Sequence, residues 1–309
     1  MRADRGGCTS SFCPFFAPGG PLYSGAVSAT RRAFLKSGAA LSLATSLPGG
    51  AEPQKASAGR LRQSACRWCY KDISLDQLCQ WGAQLGLGGI DLLEVAEFDV
   101  PRRYGLLCTM GYAGGGTIAD ALNRVENHAA IEAAFRKNIP LAAKASVPNV
   151  ITFSGNRRGL SDDEGARNSI AGLKRLKAIA EDHGVTICLE LLNSKVNHPD
   201  YMADHTAWGA RVVEEVNSAR VKLLYDIYHM QIMEGDLIDT IRRNIGWIGH
   251  FHTGGVPGRH EIDSSQEIGY GAVARAIADT GFSGYVAHEF VPAGDPFSGL
   301  RQAVEICRD

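Results

Sequence analysis

From Gln63 onward, short apolar runs alternate with amphipathic stretches, without repeats, low-complexity segments or an internal linker. That rhythm predicts βα units around a parallel sheet. Eight runs read as strands, at 63–67, 89–93, 106–110, 149–153, 186–190, 222–226, 247–252 and 284–289. Several are apolar throughout, such as Val185-Thr186-Ile187-Cys188-Leu189, as strands buried on both faces require. Helical periodicity separates them at 75–85, 127–146, 162–183, 206–217, 237–244, 272–280 and 299–308. The second unit is weak, with only 100–104 available for its helix. Gly86, Gly184 and Gly281 stand where a helix needs a left-handed closing residue. Eight strands with seven or eight helices predict an α/β fold, a single (β/α)8 TIM barrel. A doubly wound open sheet would want a glycine fingerprint after the first strand. The run Gly111-Tyr112-Ala113-Gly114-Gly115-Gly116 instead follows the third and reads as a mobile loop.

The barrel pattern leaves the first 58 residues over. Thr30-Arg31-Arg32-Ala33-Phe34-Leu35-Lys36, followed by a modestly apolar stretch to Leu47, resembles a twin-arginine export signal. The stretch is too short and too polar for the ~20 apolar residues that span a bilayer. Ala56-Ser57-Ala58 supplies a small-x-small cleavage site, so the expected division is an N-terminal extension with signal at 1–58 and a barrel at 59–309. Export to the periplasm, with the export machinery as a partner, follows as an expectation.

The division changes the charge picture. The whole chain has 32 Lys+Arg against 33 Asp+Glu; the extension removes six basic and two acidic residues, so 59–309 carries a net charge of −5. An acidic domain is a poor match for a phosphate backbone, so nucleic acid is not an expected partner. Cys66 and Cys69 have CxxC spacing without a second pair, and with Cys79, Cys108, Cys188 and Cys307 they read as small core residues.

Candidate chemistry sits where the strands end. The fifth run ends in Glu190, the sixth in Asp226, the seventh in His250-Phe251-His252 and the eighth in His288-Glu289. Barrel active sites collect at that end of the strands, so these groups are expected to converge. Three carboxylates and an imidazole repel one another unless a cation sits among them, and a divalent metal is the economical answer. With no thiolate in the set, Mn²⁺, Mg²⁺ or Co²⁺ is preferred, and Zn²⁺ is possible. Singly, each residue has a plainer reading: Asp226 could cap a helix, His252 could be a core histidine, and Glu289 could pair with an arginine. Among the rest, Trp68 reads equally as pocket wall or core. His128 reads as a cap or surface residue, Glu94 as a loop ion-pair member, and Asp162-Asp163-Glu164 as a helix start complementing the dipole.

The segments Cys188-Leu189-Glu190-Leu191-Leu192-Asn193, Tyr225-Asp226-Ile227-Tyr228-His229-Met230-Gln231, Gly249-His250-Phe251-His252, Val256-Pro257-Gly258-Arg259-His260-Glu261 and His288-Glu289-Phe290 together resemble the xylose isomerase-like barrel superfamily. Within it they look most like the hydroxypyruvate isomerase group, with ketose 3-epimerases as near relatives. The resemblance implies that Glu190 and Glu289 bind the metal and act as the acid/base pair. It further implies that Asp226 and His252 complete the metal site, and that His229 and Arg259 hold the substrate. Hydroxypyruvate isomerases commonly carry Gln where this chain has His252. Ketose epimerases place a further acid near Val196, which is absent here. The expected reaction is isomerisation of a small hydroxy-carbonyl compound through an enediolate, with hydroxypyruvate to tartronate semialdehyde foremost and ketose 3-epimerisation as the alternative. From other classes, an AP-site endonuclease-like metallohydrolase would need a multi-metal histidine-rich site and a basic DNA-facing surface, and a non-catalytic sugar-binding barrel would not need the acid pair. A homo-oligomer stays open.

Overall fold

A computed structural model of the chain describes residues 59–308; the stretches read above as an export signal and a cleavage site lie outside the described residues. The eight strands are β1 (Arg62–Cys66), β2 (Gly89–Leu93), β3 (Leu107–Gly115), β4 (Asn149–Thr152), β5 (Thr186–Leu191), β6 (Val221–Asp226), β7 (Ile248–Thr253) and β8 (Tyr285–His288). All neighbours pair in parallel in chain order, and β8 closes onto β1 from Arg62↔Tyr285 to Ala65↔His288. The fold is the (β/α)8 barrel that the alternation predicts. Strands β2, β4, β5 and β8 are buried along their whole length, because helices cover one face and the barrel interior the other.

The outer ring comprises α1 (Leu75–Leu85), α2 (His128–Lys144), α3 (Asp162–His183), α4 (Thr206–Val216), α5 (Ile227–Met233), α6 (Leu237–Asn244), α7 (Tyr270–Asp279) and α8 (Pro296–Ile306). The helix starts are chemically marked. Ser74 accepts from the Gln77 N–H at 3.1 Å and Ser161 from the Glu164 N–H at 3.2 Å, with Asp162, Asp163 and Glu164 filling the first turn of α3. Gly86 and Gly184 close α1 and α3 with φ of 77° and 67°, a region that costs a side-chain-bearing residue strain. Between β2 and β3 there is no α-helix, only 3₁₀ turns at Val95–Glu97 and Pro101–Tyr104, which accounts for the weak second unit. Among the described residues no helix is long and apolar enough to cross a membrane.

The structure corrects several sequence expectations. The glycine run at 111–116 is no mobile loop: β3 continues through it to Gly115. Its residues are small because their surroundings are tight. A Cβ on Gly111 would meet the Phe98 ring at 2.5 Å and one on Gly114 would meet Ala134 Cβ at 2.5 Å. Helix α5 was masked in the sequence because its apolar residues follow β6 without a break. His128 is buried rather than on the surface, its Nε2 lying 2.8 Å from the Leu122 carbonyl. Glu94 forms a reciprocal capping box with Glu97 instead of an ion pair. The six cysteines from Cys66 onward are free and buried, as core residues should be.

Candidate active site

Glu190 stands one residue before the end of β5, Asp226 ends β6, His252 is one before the end of β7, and Glu289 directly follows β8. Parallel register does the alignment. Asp226 and His252 are partners across β6 and β7, and the Glu289 N–H still donates to the Thr253 carbonyl at 2.9 Å. The ligand atoms of all four side chains lie within 4.8 Å of one another and all four residues are buried. His252 Nδ1 is 2.7 Å from Glu289 Oε2 and 3.5 Å from Glu190 Oε1. It nevertheless has no hydrogen bond of acceptable geometry. A buried imidazole nitrogen aimed at carboxylates without a hydrogen bond of good geometry is a donor set that a divalent cation would complete. Opposite ligands of a six-coordinate Mg²⁺ or Mn²⁺ stand roughly 4 Å apart, so the cluster fits such an ion.

Arg259 enters from the loop after β7. Its Nη2 lies 2.9 Å from Asp226 Oδ2 and 2.5 Å from Glu289 Oε2, and its Nε donates to the Glu289 carbonyl at 3.2 Å. Its Nη1 has no hydrogen-bond partner among the described residues, and the residue lines the adjoining cavity. Trp68 and Tyr228 flank the guanidinium at 5.3 and 5.2 Å. Trp68 also donates from Nε1 to Glu289 Oε1 at 2.6 Å, which settles it as pocket wall rather than core.

His229 lies in the first turn of α5. Asp226 Oδ1 accepts from the His229 backbone N–H at 3.1 Å, so one carboxylate both caps that helix and faces the cluster. His229 Nδ1 accepts from the Asn193 N–H at 3.1 Å, which places the proton of the neutral ring on Nε2. That Nε2 is buried without a hydrogen bond, 3.6 Å from Asp226 Oδ2. Burial, reinforced by the Arg259 charge, holds the ring well below the usual histidine range and therefore neutral.

The carboxyls are driven apart electrostatically. Burial pushes Glu190 up, against His252, and pushes Asp226 up to about 7, against Arg259. Burial acts the same way on Glu289, but Arg259 and His252 outweigh it and hold that carboxyl well below the usual range. A cavity of about 260 Å³ opens on Glu190, Arg259 and Glu289, walled by Trp68, Tyr112 and Phe153.

The family model for the xylose isomerase-like TIM barrel matches residues 102–309. The chain belongs to that family. Among curated relatives of this xylose isomerase-like barrel, a putative hydroxypyruvate isomerase of Mus musculus is 29% identical over 178 residues, 55% of this chain and 64% of the relative. A 2-oxo-tetronate isomerase of Cupriavidus necator is 34% identical over 121 residues, 39% of this chain and 46% of the relative. The matched region thus spans about half to two thirds of the length of those relatives. A solved structure described as an AP endonuclease, family 2, from Brucella melitensis superposes with a TM-score of 0.68 at 24% identity, covering 81% of this chain and 100% of that one; the likeness is one of fold.

Within this xylose isomerase-like barrel, Glu190, Asp226, His252, Glu289, His229 and Arg259 all come to one place. Val196, by contrast, is 64% exposed on the loop after β5. Residues the sequence reading passed over also line the site. Tyr112 and Phe153 wall the cavity, and His198 packs against His229 with ring centroids 5.3 Å apart. Beneath His252 lies Asp91, a fully buried carboxylate in the middle of β2. An acid inside the apolar run Gly89-Ile90-Asp91-Leu92-Leu93 is the signal that could have found it.

Proposed function

We propose that the chain is a divalent-metal-dependent isomerase of a small hydroxy-carbonyl acid, with hydroxypyruvate to tartronate semialdehyde as the foremost reaction. The observation that carries this reading is the pairing of Glu190 and Glu289 across a buried cluster, with a free guanidinium edge of Arg259 facing the same cavity. An ion held by Glu190, Asp226, His252 and Glu289 would supply Lewis-acid polarisation of the substrate carbonyl. Mn²⁺, Mg²⁺ and Co²⁺ suit this oxygen-rich set best, and Zn²⁺ is accommodated.

The chain's own groups supply the rest. Arg259 Nη1 takes the substrate carboxylate. The His229 Nε2 proton meets a substrate oxygen. Glu289, held anionic, takes the proton from C3; Glu190, whose carboxyl burial pushes up, delivers one to C2, and the C3 hydroxyl proton passes to O2. The net change moves the carbonyl from C2 to C3 and leaves the proton count unchanged. Ketose 3-epimerisation would use the same pair on one carbon, but it would leave the Arg259 edge without an anion.

The test is incubation of the purified chain with hydroxypyruvate and Mn²⁺ in D₂O, following isomerisation and deuterium uptake by NMR. Glu190→Gln and Glu289→Gln should each lower turnover by roughly 10²- to 10⁴-fold with unchanged circular dichroism. Failure to bind any divalent ion, or full activity in both variants, would refute the proposal.

A further inference from the structure

Asp91 is fully buried, and each of its oxygens has defined partners. Oδ2 lies 2.9 Å from His252 Nε2 and 2.9 Å from His250 Nε2. Oδ1 accepts from the Thr109 hydroxyl, and Ser64 Oγ stands 3.5 Å away. These donors come from β1, β3 and β7, so the carboxylate is gripped from three directions inside the barrel. The backbone is bent to present it. Register between β2 and β3 shifts on both sides of Asp91, from Ile90↔Cys108 to Asp91↔Met110 to Leu93↔Gly111, and Thr109 falls in the skipped position. The next residue, Leu92, has φ of 58°, a left-handed conformation that a branched side chain resists. Distortion of this kind in the middle of a buried strand needs a reason beyond packing.

An ionised carboxylate only accepts, so the imidazole nitrogen facing it must carry the proton. For a neutral His252 that puts the proton on Nε2 and leaves the lone pair on Nδ1. Nδ1 is the nitrogen that faces Glu190 and Glu289. The opposite tautomer would point an N–H at Glu289 and turn His252 from a ligand into a hydrogen-bond donor.

We infer that Asp91 is a positioning residue for the candidate metal centre, fixing the tautomer and ring orientation of His252 so that Nδ1 is the ligating atom. A carboxylate that accepts from both His250 and His252 also ties β2 to β7, so ion affinity and the tautomer, rather than stability, separate the two roles. The inference rests on the metal-centre reading above, and a carboxylate behind a ligating histidine is worth about 10- to 100-fold in metal affinity.

The experiment is calorimetric titration of the full chain with Mn²⁺ alone, for wild type, Asp91→Asn and Thr109→Val. Thr109→Val removes one donor from the same carboxylate and leaves the bond to His252 in place. The expected result is wild-type affinity in Thr109→Val and affinity about 10- to 100-fold weaker in Asp91→Asn. Equal affinity in wild type and Asp91→Asn overturns the inference, as does parallel weakening in the two variants, which marks a merely structural network. Should Asp91→Asn fail to fold, ¹⁵N-histidine NMR of the wild type loaded with Zn²⁺ decides instead. A protonated Nε2 with the ion on Nδ1 supports the inference, and the reverse overturns it. A wild type that binds no divalent ion defeats the isomerase proposal and this inference with it, whereas equal affinity in wild type and Asp91→Asn overturns the inference alone.

Discussion

His288 shows how strongly single residues feel this barrel. It is fully buried, with Nε2 2.8 Å from Gln63 Oε1 and Nδ1 3.1 Å from Thr253 Oγ1. Burial pushes its ring down to about 3. The unfolded chain takes up a proton near pH 6.5 that the folded chain refuses, so this contribution to stability is complete above that pH and is lost as the pH falls toward 3. By pH 4.5 the loss is about 3 kcal/mol. Urea melts at pH 7 and pH 4.5 should therefore show a steeper loss for wild type than for His288→Gln; equal slopes would contradict the assignment. At this scale the site was partly legible in the sequence. Glu190, Asp226, His252 and Glu289 could be found because each sits where a strand runs out, a position that the apolar pattern marks. Asp91 and His198 could not be found in that way: one lies mid-strand and meets His252 across the barrel interior, and the other lies on a loop and meets the site by packing on His229.

Elements were legible wherever periodicity and end signals agreed, as in α1 and α3 with their serine caps and closing glycines. They were not where small residues serve two purposes. In β3, glycine that would mark a loop elsewhere is demanded by the closeness of Phe98 and Ala134. The same crowding governs the contact of β2 with β3. A Cβ on Gly89 would stand 2.2 Å from the Leu107 carbonyl oxygen and 2.6 Å from Thr109 Cγ2. The first of these is backbone and cannot rotate away, so Gly89→Ala should destabilise the barrel by about 2 kcal/mol or more. Denaturant midpoints measure this, and a loss under half that size would show that the strand pair can slide to make room.

For the whole molecule, the described residues account for a closed barrel, and the acidic balance of 59–309 belongs to it. The near-neutral total of the chain conceals this, since residues 1–58, with six basic and two acidic residues, offset the acidic remainder. We propose export by the twin-arginine route for the residues that precede the barrel. Replacing Arg31 and Arg32 together by lysine should retain the protein in the cytoplasm of an expressing bacterium, with fractionation and immunoblotting as the readout; unchanged periplasmic delivery would dismiss the route. A route that carries folded cargo would suit a protein that seats an ion before it leaves.

Asp226 carries one further consequence. Its Oδ1 caps the turn from which His229 projects, while its Oδ2 faces Arg259 and the cluster. The carboxylate that would hold the ion and the imidazole that would meet the substrate are thus set by the same atoms of backbone. Neither position can drift alone, because a change at Asp226 also re-aims His229. A substitution at Asp226 is therefore expected to disturb both positions at once, whereas changes on the cavity walls and the loops that cover them leave the pair in place.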